Sequence, residues 1–455
     1  MSVFQYMKII RVRHAWALVL AIALCGIGIY ACIRDAPSEE SRPLKIALDW
    51  NRFMLSAEMS TEGYRGPVAA RTYAYVGFAA YEAALPGFNG EFRSLRDLYP
   101  GLRLPSSEFM NNFQMTAALN ACYYTMLDLF FAASPEKIRS EKRELNRKWE
   151  ELIKGQMNAA EYDQARQYGI NVARAVYAWS ATDSLGYRAN HHNYDRQYKA
   201  PVGPGLWITS DDFPMPPLLP YWGKVRPFVI NTEQYLAEPL PDYATSPDFY
   251  KKQAIEILTL SQPLSVENQW IADFWNDDRP GLSFTPAGHW LAITNQVIEK
   301  ENPTIEKALE TYLKVGIALS DAIIACWYSK YHYNIERPET YIRKHLSDTW
   351  RPYSPTPSFP SYPSGHSMMG AAAAEVLTDA FGDNYDLMDC SHKDLPSFET
   401  KPRKFKSFKE MARENALSRM LLGVHFRMDC NEGLRLGELI GQEVTQLKLE
   451  SKLTE

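Results

Sequence analysis

The sequence predicts an all-α protein of two packed helical bundles, joined by a long connection rich in proline and aromatic residues. Three observations predict it. Apolar residues recur at three- and four-residue spacing along most of the chain. No alternating apolar stretch is long enough to argue for a sheet. The helical pattern fails over one long segment, 182–247, which holds ten prolines. With 455 residues, 46% of them hydrophobic, the chain can bury a large core as one domain or as two closely packed halves.

The first 32 residues differ from the rest. Lys8, Arg11 and Arg13 precede an uncharged apolar run, 15–31, that ends at Cys32. This is the order of a basic region and an apolar region in an export signal. Ile29-Tyr30-Ala31-Cys32 resembles a bacterial lipoprotein signal, which implies lipidation at Cys32, although Tyr30 stands where a small residue is usual. The alternative is an uncleaved anchor near the short limit for spanning a bilayer. Either reading places the bulk of the chain outside the cytoplasm, as a periplasmic or cell-envelope lipoprotein or a secreted protein, touching membrane only through its N-terminus.

A polar linker follows (33–43), then an N-terminal helical half (44–260). Helical periodicity covers 44–59, 67–84, 109–132 and 135–181, the last as one or two helices. Within the segment 182–247, Trp207, Tyr221, Trp222 and Tyr235 favour an ordered strap over the core rather than a free linker. Periodicity returns at 249–260. The C-terminal half (261–455) has helical patterns at 266–275, 286–299 and 304–333, a Pro-rich loop at 350–363, and further helices at 364–381, 408–422 and 432–448.

A net charge of −5 offers no basic field for nucleic acid. Beyond the signal lie Cys122, Cys326, Cys390 and Cys430. Four cysteines allow three connectivities and the sequence does not choose among them. Cys390 and Cys430, both in irregular stretches, are the expected pair, and Cys326 is a thiol on an apolar helix face.

Three segments carry chemistry. The first runs from Lys330 to Arg337-Pro338, the second is Pro363-Ser364-Gly365-His366, and the third is Ser418-Arg419 followed by His425 and Asp429. Singly each is weak, because basic residues at helix ends are usually solvated and Ser-Gly usually marks a turn. Together they suit a tetrahedral or trigonal-bipyramidal oxyanion. Lys330 and Arg337 are seven apart, near two helical turns, and share a face while the helix lasts. Pro338 disfavours helical geometry at Arg337, which ends the helix there. Gly365 lets an anion approach a helix start whose N–H groups point outward. Arg419 adds a second planar fork. Asp429, one turn from His425, fixes its tautomer and makes it a ligand or nucleophile. His366 is placed for acid–base work. The bland alternatives are a simple first-turn residue for His366 and an N-cap for Asp429, supported by Glu432. His191, His192, His332 and His392 lack such context and read as solvated or structural.

These three segments resemble the signature of the superfamily that contains vanadium-dependent haloperoxidases and type 2 phosphatidic acid phosphatases. The resemblance implies an all-α fold with an active site in the second half of the chain. It implies vanadate as cofactor, bound axially by His425. Lys330, Arg337, Ser364, Gly365 and Arg419 would hold its oxygens, and His366 would be the acid–base residue. Trp327 and Phe359 stand at positions that line the halide pocket in the haloperoxidase branch, with core packing as the plain alternative. Algal bromoperoxidases carry His where Phe359 stands. Phe274-Trp-Asn-Asp-Asp278 is also similar to an upstream segment of the fungal chloroperoxidases, with Asp278 a candidate partner for Arg419. The implied activity is oxidation of halide by hydrogen peroxide to hypohalous acid, iodide or bromide favoured. The same cations would serve an acid phosphatase working through a phosphohistidine at His425. Several spanning helices mark the lipid phosphatases, and this chain lacks them. The known soluble phosphatases are about half its length.

Overall fold

The computed structural model describes residues 41–450, apart from 89–91, 108–111, 211, 213, 262, 278 and 396–400. The expected export signal with Cys32, and Asp278, therefore lie outside the described residues. The N-terminal half holds α1 (Arg42–Ser60), α2 (Gly66–Ala84), α3 (Met115–Phe130), α4 (Glu136–Lys154), α5 (Ala159–Ala181) and α6 (Pro247–Ser261). The C-terminal half holds α7 (Val266–Phe274), α8 (Pro286–Glu301), α9 (Ile305–Tyr333), α10 (Pro338–His345), α11 (Gly365–Phe381), α12 (Phe408–Leu421) and α13 (Arg427–Thr445). Short polar residues start these helices by accepting first-turn amides: Asn158, Ser265, Thr285, Thr304, Ser364 and Ser407. The pattern at 135–181 resolves into two helices, divided by Gly155 and the Asn158 cap.

Three departures from the sequence reading have physical reasons. Two strands, β1 (Leu387–Asp389) and β2 (Arg403–Phe405), pair antiparallel with Leu387 opposite Phe405. At three residues each they are too short for alternation to register. Helix α10 spans only eight residues and starts with Pro338 in its first turn. Helix α13 begins at Arg427, so Asp429 lies in the third helical position instead of at the N-cap, and from there its side chain accepts the Phe426 amide at 2.9 Å.

Small residues decide how closely the helices approach. Helix α9 crosses α2 where Gly316 faces Ala74; a Cβ there would sit 2.9 Å from the Ala74 backbone. Helix α13 lies on α11 along Gly433, Gly437 and Gly441, and a Cβ at Gly437 would stand 2.2 Å from the Met368 carbonyl. That contact brings the starts of α11 and α13 together, and both carry motif residues. One continuous core spans both halves, including Trp50, Trp149, Trp222, Trp275 and Trp290. A smaller cluster gathers Tyr250, Ile257, Tyr341, Trp350 and Phe426 under α6 and α10.

The described residues of 182–247, all but 211 and 213, pack as a strap. Asp321, buried on α9, accepts the amides of Phe228, Val229 and Ile230 at 2.8, 2.7 and 3.2 Å. Trp327 and Tyr331 both donate to the Leu218 carbonyl, and Tyr362 donates to that of Glu238. The strap thus closes over the C-terminal half of α9. The expected Cys390–Cys430 bridge does not form. All four described cysteines are free, and Cys430 is buried in the first turn of α13, with its thiol on the Ala416 carbonyl. Among the described residues, no helix is long and apolar enough to cross a membrane.

Candidate active site

Lys330 and Arg337 reach one point from different elements, not along a single helix. Helix α9 stops at Tyr333, where Asn334 turns left-handed at φ 51°. Arg337 is extended and precedes Pro338 at the head of α10. Lys330 donates to the carbonyls of Pro360 and Ser361 at 2.9 and 2.8 Å. Arg337 donates through Nε to Phe359 O at 2.9 Å, and through Nη1 to Val424 O at 2.8 Å and His425 Nε2 at 3.1 Å. Both side chains are fully buried, and among the described residues neither forms a salt bridge. Arg337 Nη2 is buried with no hydrogen-bond partner among the described residues.

His425 sits in the turn between α12 and α13. A guanidinium only donates, so His425 Nε2, which faces Arg337, is the unprotonated nitrogen. Nδ1–H then donates to Asp429 Oδ2 at 3.0 Å. Burial first, then the charges of Arg337, Lys330 and Arg419, hold this imidazole well below its usual range. It is neutral, with a lone pair directed among cations. Asp429 Oδ2 also accepts from the Ser361 hydroxyl at 2.5 Å. The Asp429 carbonyl accepts the Ser364 amide at 2.9 Å, which ties the heads of α11 and α13.

Burial pushes Lys330 down and brings Arg337 to about 10, so the guanidinium stays charged at neutral pH. Arg419, buried on α12, donates to the Trp275 carbonyl at 2.8 Å. Its expected partner Asp278 lies outside the described residues. A cavity of about 30 Å³ is lined by Trp327, Phe359, Gly365, His366, Arg419 and His425, among others. The Trp327 and Phe359 rings pack 4.8 Å apart, and the Arg337 guanidinium lies 4.8 Å over Phe359. An outer cavity of about 650 Å³ continues outward and shares Arg65, Leu218, Pro357 and Phe359 with the inner one.

Lys330, Arg337, Ser364, Gly365, His366, Arg419, His425 and Asp429 therefore meet, with Trp327 and Phe359 forming one wall. Sequence reasoning missed two neighbours. Asp277, fully buried, accepts His366 Nε2–H at 2.9 Å. It lies one position before the acid singled out in the same motif, and neighbouring carboxylates cannot be told apart without the backbone turn that aims them. Arg65 precedes α2 and carried no motif signal at all. His392, read as solvated or structural, is buried on the Phe274 carbonyl, whereas His191, His192 and His332 are exposed.

A neutral imidazole among buried cations, an orphaned guanidinium N–H and a helix start form a donor set for an oxyanion. Vanadate has this chemistry, and the residues present fit it.

Comparison with known proteins agrees with this geometry. Residues 310–451 match a family described as the VCPO second helical-bundle domain. The chain is 25% identical over 341 residues to the vanadium chloroperoxidase of Curvularia inaequalis, a match covering 58% of this chain and 56% of that protein. The chain thus spans little more than half the length of that curated relative. A solved structure described as the first bacterial vanadium-dependent iodoperoxidase superposes with a TM-score of 0.79 at 29% identity, over 92% of this chain and all of that one. A bacterial vanadium-dependent chloroperoxidase in its holo form shares the fold, with a TM-score of 0.63 at 17% identity over 85% of this chain and 91% of that one. Residues 310–451 thus resemble the second helical-bundle domain of that family, and the chain as a whole shares the fold of solved vanadium-dependent haloperoxidases.

Proposed function

We propose that the protein is a vanadate-dependent haloperoxidase that uses hydrogen peroxide to oxidise halide, iodide or bromide best, to hypohalous acid. The observation that carries this reading is the His425 Nε2 lone pair, held beside Arg337 and facing an apolar wall of Trp327 and Phe359. Bound vanadate supplies the Lewis-acid centre at which peroxide is activated. The protein's own residues do the rest. His425 would hold the vanadium through Nε2, its tautomer set by Asp429. Lys330, Arg337, Arg419, Ser364 and Gly365 would hold the vanadate oxygens and draw electron density from them. His366 donates Nε2–H to Asp277, so Nδ1 is the atom that takes up and returns a proton. The Trp327–Phe359 wall suits a large, weakly hydrated halide better than the polar leaving group of a phosphoester.

The test is to load vanadate-free protein with orthovanadate and measure peroxide-dependent oxidation of iodide, bromide and chloride. Iodide, the easiest to oxidise, is expected to turn over fastest, and phosphate is expected to inhibit by competing with vanadate. Vigorous phosphomonoesterase turnover without vanadate, and no halide oxidation with it, would replace this reading with a phosphohistidine hydrolase.

We also propose that the chain is exported and tethered through Cys32, on the strength of the apolar run that ends there. Cys32→Ala is expected to leave the membrane fraction or to block processing. An unchanged fractionation and an unchanged mature N-terminal mass would sink that idea.

A further inference from the structure

Behind His366 and its partner Asp277 lie a buried imidazole and a second carboxylate, His289 and Asp389. Asp277 Oδ1 faces His366, and its other oxygen, Oδ2, is 3.0 Å from His289 Nδ1. His289 Nε2 is in turn 3.0 Å from Asp389 Oδ2. Asp277, His289 and Asp389 have no exposed surface. The three come from separate elements: the loop after α7, the first turn of α8 and the end of β1. We propose that His289 and Asp389 are positioning residues for His366, acting through Asp277 to fix the tautomer and direction of its imidazole. This rests on the acid–base role given to His366 above.

A neutral imidazole has one donor and one acceptor nitrogen. Both nitrogens of His289 face carboxylates, so a neutral ring would point a lone pair at an anion in a place without water. An imidazolium satisfies both partners. Burial opposes the charge, yet Asp389 and Asp277 outweigh it and push His289 up to about 9. Burial would likewise raise Asp277, but His366 and His289 together hold it below the usual carboxylate range. The ring cannot rotate, because Trp275 stacks on it at 4.5 Å and His392 meets it edge-on at 4.7 Å.

Without the imidazolium, Asp277 and Asp389 would be two buried acids with no cation between them, and one would take a proton. A protonated Asp277 no longer demands the Nε2–H of His366. Held by His289, Asp277 presents Oδ1 as an acceptor in one orientation. Its role is that of a triad carboxylate, which orients an imidazole without itself being protonated. Asp389 is held in turn by Gln296 Nε2 at 3.1 Å and by the Ser391 amide and hydroxyl at 2.9 and 2.5 Å. Without such a role, the His289–Asp389 pair would merely pin the β1–β2 hairpin to α8. A separate contact serves that purpose: Lys300 donates to the Asp386 carbonyl at 2.7 Å.

The experiment uses the full chain labelled with ¹⁵N-histidine, in the wild type and as Asp389→Asn, His289→Gln and Lys300→Ala. Asn keeps the shape of Asp389 and an acceptor oxygen while removing the charge, so the fold survives, as circular dichroism would check. In wild type, NMR is expected to show His289 with both nitrogens protonated at pH 7 and His366 as the Nε2–H tautomer. His289→Gln and Asp389→Asn are expected to turn His366 into a tautomer mixture. Vanadate-loaded Asp389→Asn should lose roughly tenfold in kcat, the scale of removing an outer partner. Its halide KM and its vanadate affinity, read by ⁵¹V NMR, should stay within about twofold. Lys300→Ala loosens the same hairpin without touching the chain of acids and is expected to match wild type in tautomer and kcat. An unchanged His366 tautomer in both variants overturns the proposal whatever the activity. So does an equal effect from Lys300→Ala. Tautomer loss in the two variants, with a wild-type protein that never oxidises halide, would leave the positioning role standing and overturn the haloperoxidase reading instead.

Discussion

His425→Ala is expected to abolish stable vanadate binding, whereas His366→Ala is expected to retain bound vanadate and lose turnover. The two histidines occupy different electrostatic settings. Burial first, then the charges of Arg337, Lys330 and Arg419, disfavour the His425 imidazolium and hold the group well below its usual range. Its Nε2 lone pair is committed to the oxyanion site by the Nδ1–H bond to Asp429. Removing it deletes the only imidazole nitrogen aimed between Arg337 and the cavity among the described residues. The loss should exceed the ~10–100-fold expected for Asp429→Asn, which disturbs the ligand through its partner. His366 stands across the cavity on Asp277, and its removal leaves the cations in place. Equilibrium dialysis against orthovanadate, with peroxide-dependent turnover measured on the same samples, separates the two. Wild-type affinity in both variants would mean that neither is the ligand.

The second large effect concerns stability. Asp321→Ala is expected to cost roughly 3–5 kcal/mol, because three strap amides would be left buried or half-buried without an acceptor, at about 1–3 kcal/mol each and not fully additive. Burial pushes Asp321 up to about 6, and the amides of Phe228, Val229 and Ile230 pull against that shift by solvating its charge. The carboxylate and the strap therefore stabilise one another. For a chain of this length the thermal midpoint should fall by roughly 4–6 °C. Cleavage by a protease in limiting amount should move into 182–247 first, because the released backbone is the part that opens. Asp321→Asn keeps one acceptor oxygen and should recover only part of the loss. A midpoint within 1 °C of wild type would mean that the strap is held by its aromatic packing alone.

Much of the architecture was legible in the order of residues. The 3.6-residue apolar period marked most helices. The strap was legible from its prolines and aromatics, since a segment so rich in Trp and Tyr has surface to bury. Helix α10 and the β1–β2 pair were not, because eight and three residues hold too few repeats for either period to emerge. The disulfide expectation failed for a related reason. Cys430 was placed in a loop, but α13 begins before it and turns its thiol into the core.

For the site, the sequence by itself determined which side chains carry charge, lone pairs and turn chemistry: Lys330, Arg337, Ser364, Gly365, His366, Arg419, His425 and Asp429. Those are properties of residue type and local spacing, and a one-dimensional string preserves them. Only the tertiary structure decided that Lys330 and Arg337 arrive from two elements after a left-handed turn at Asn334. It also decided that Asp277 meets His366, and that His289 stands between two carboxylates drawn from α8's neighbouring loop and a hairpin far along the chain. Those pairings span 89 residues between Asp277 and His366 and 100 between His289 and Asp389. No local pattern encodes them, because what selects each partner is the burial of a charge. Burial is a property of the packed chain, where an acid without a cation would be too costly to keep.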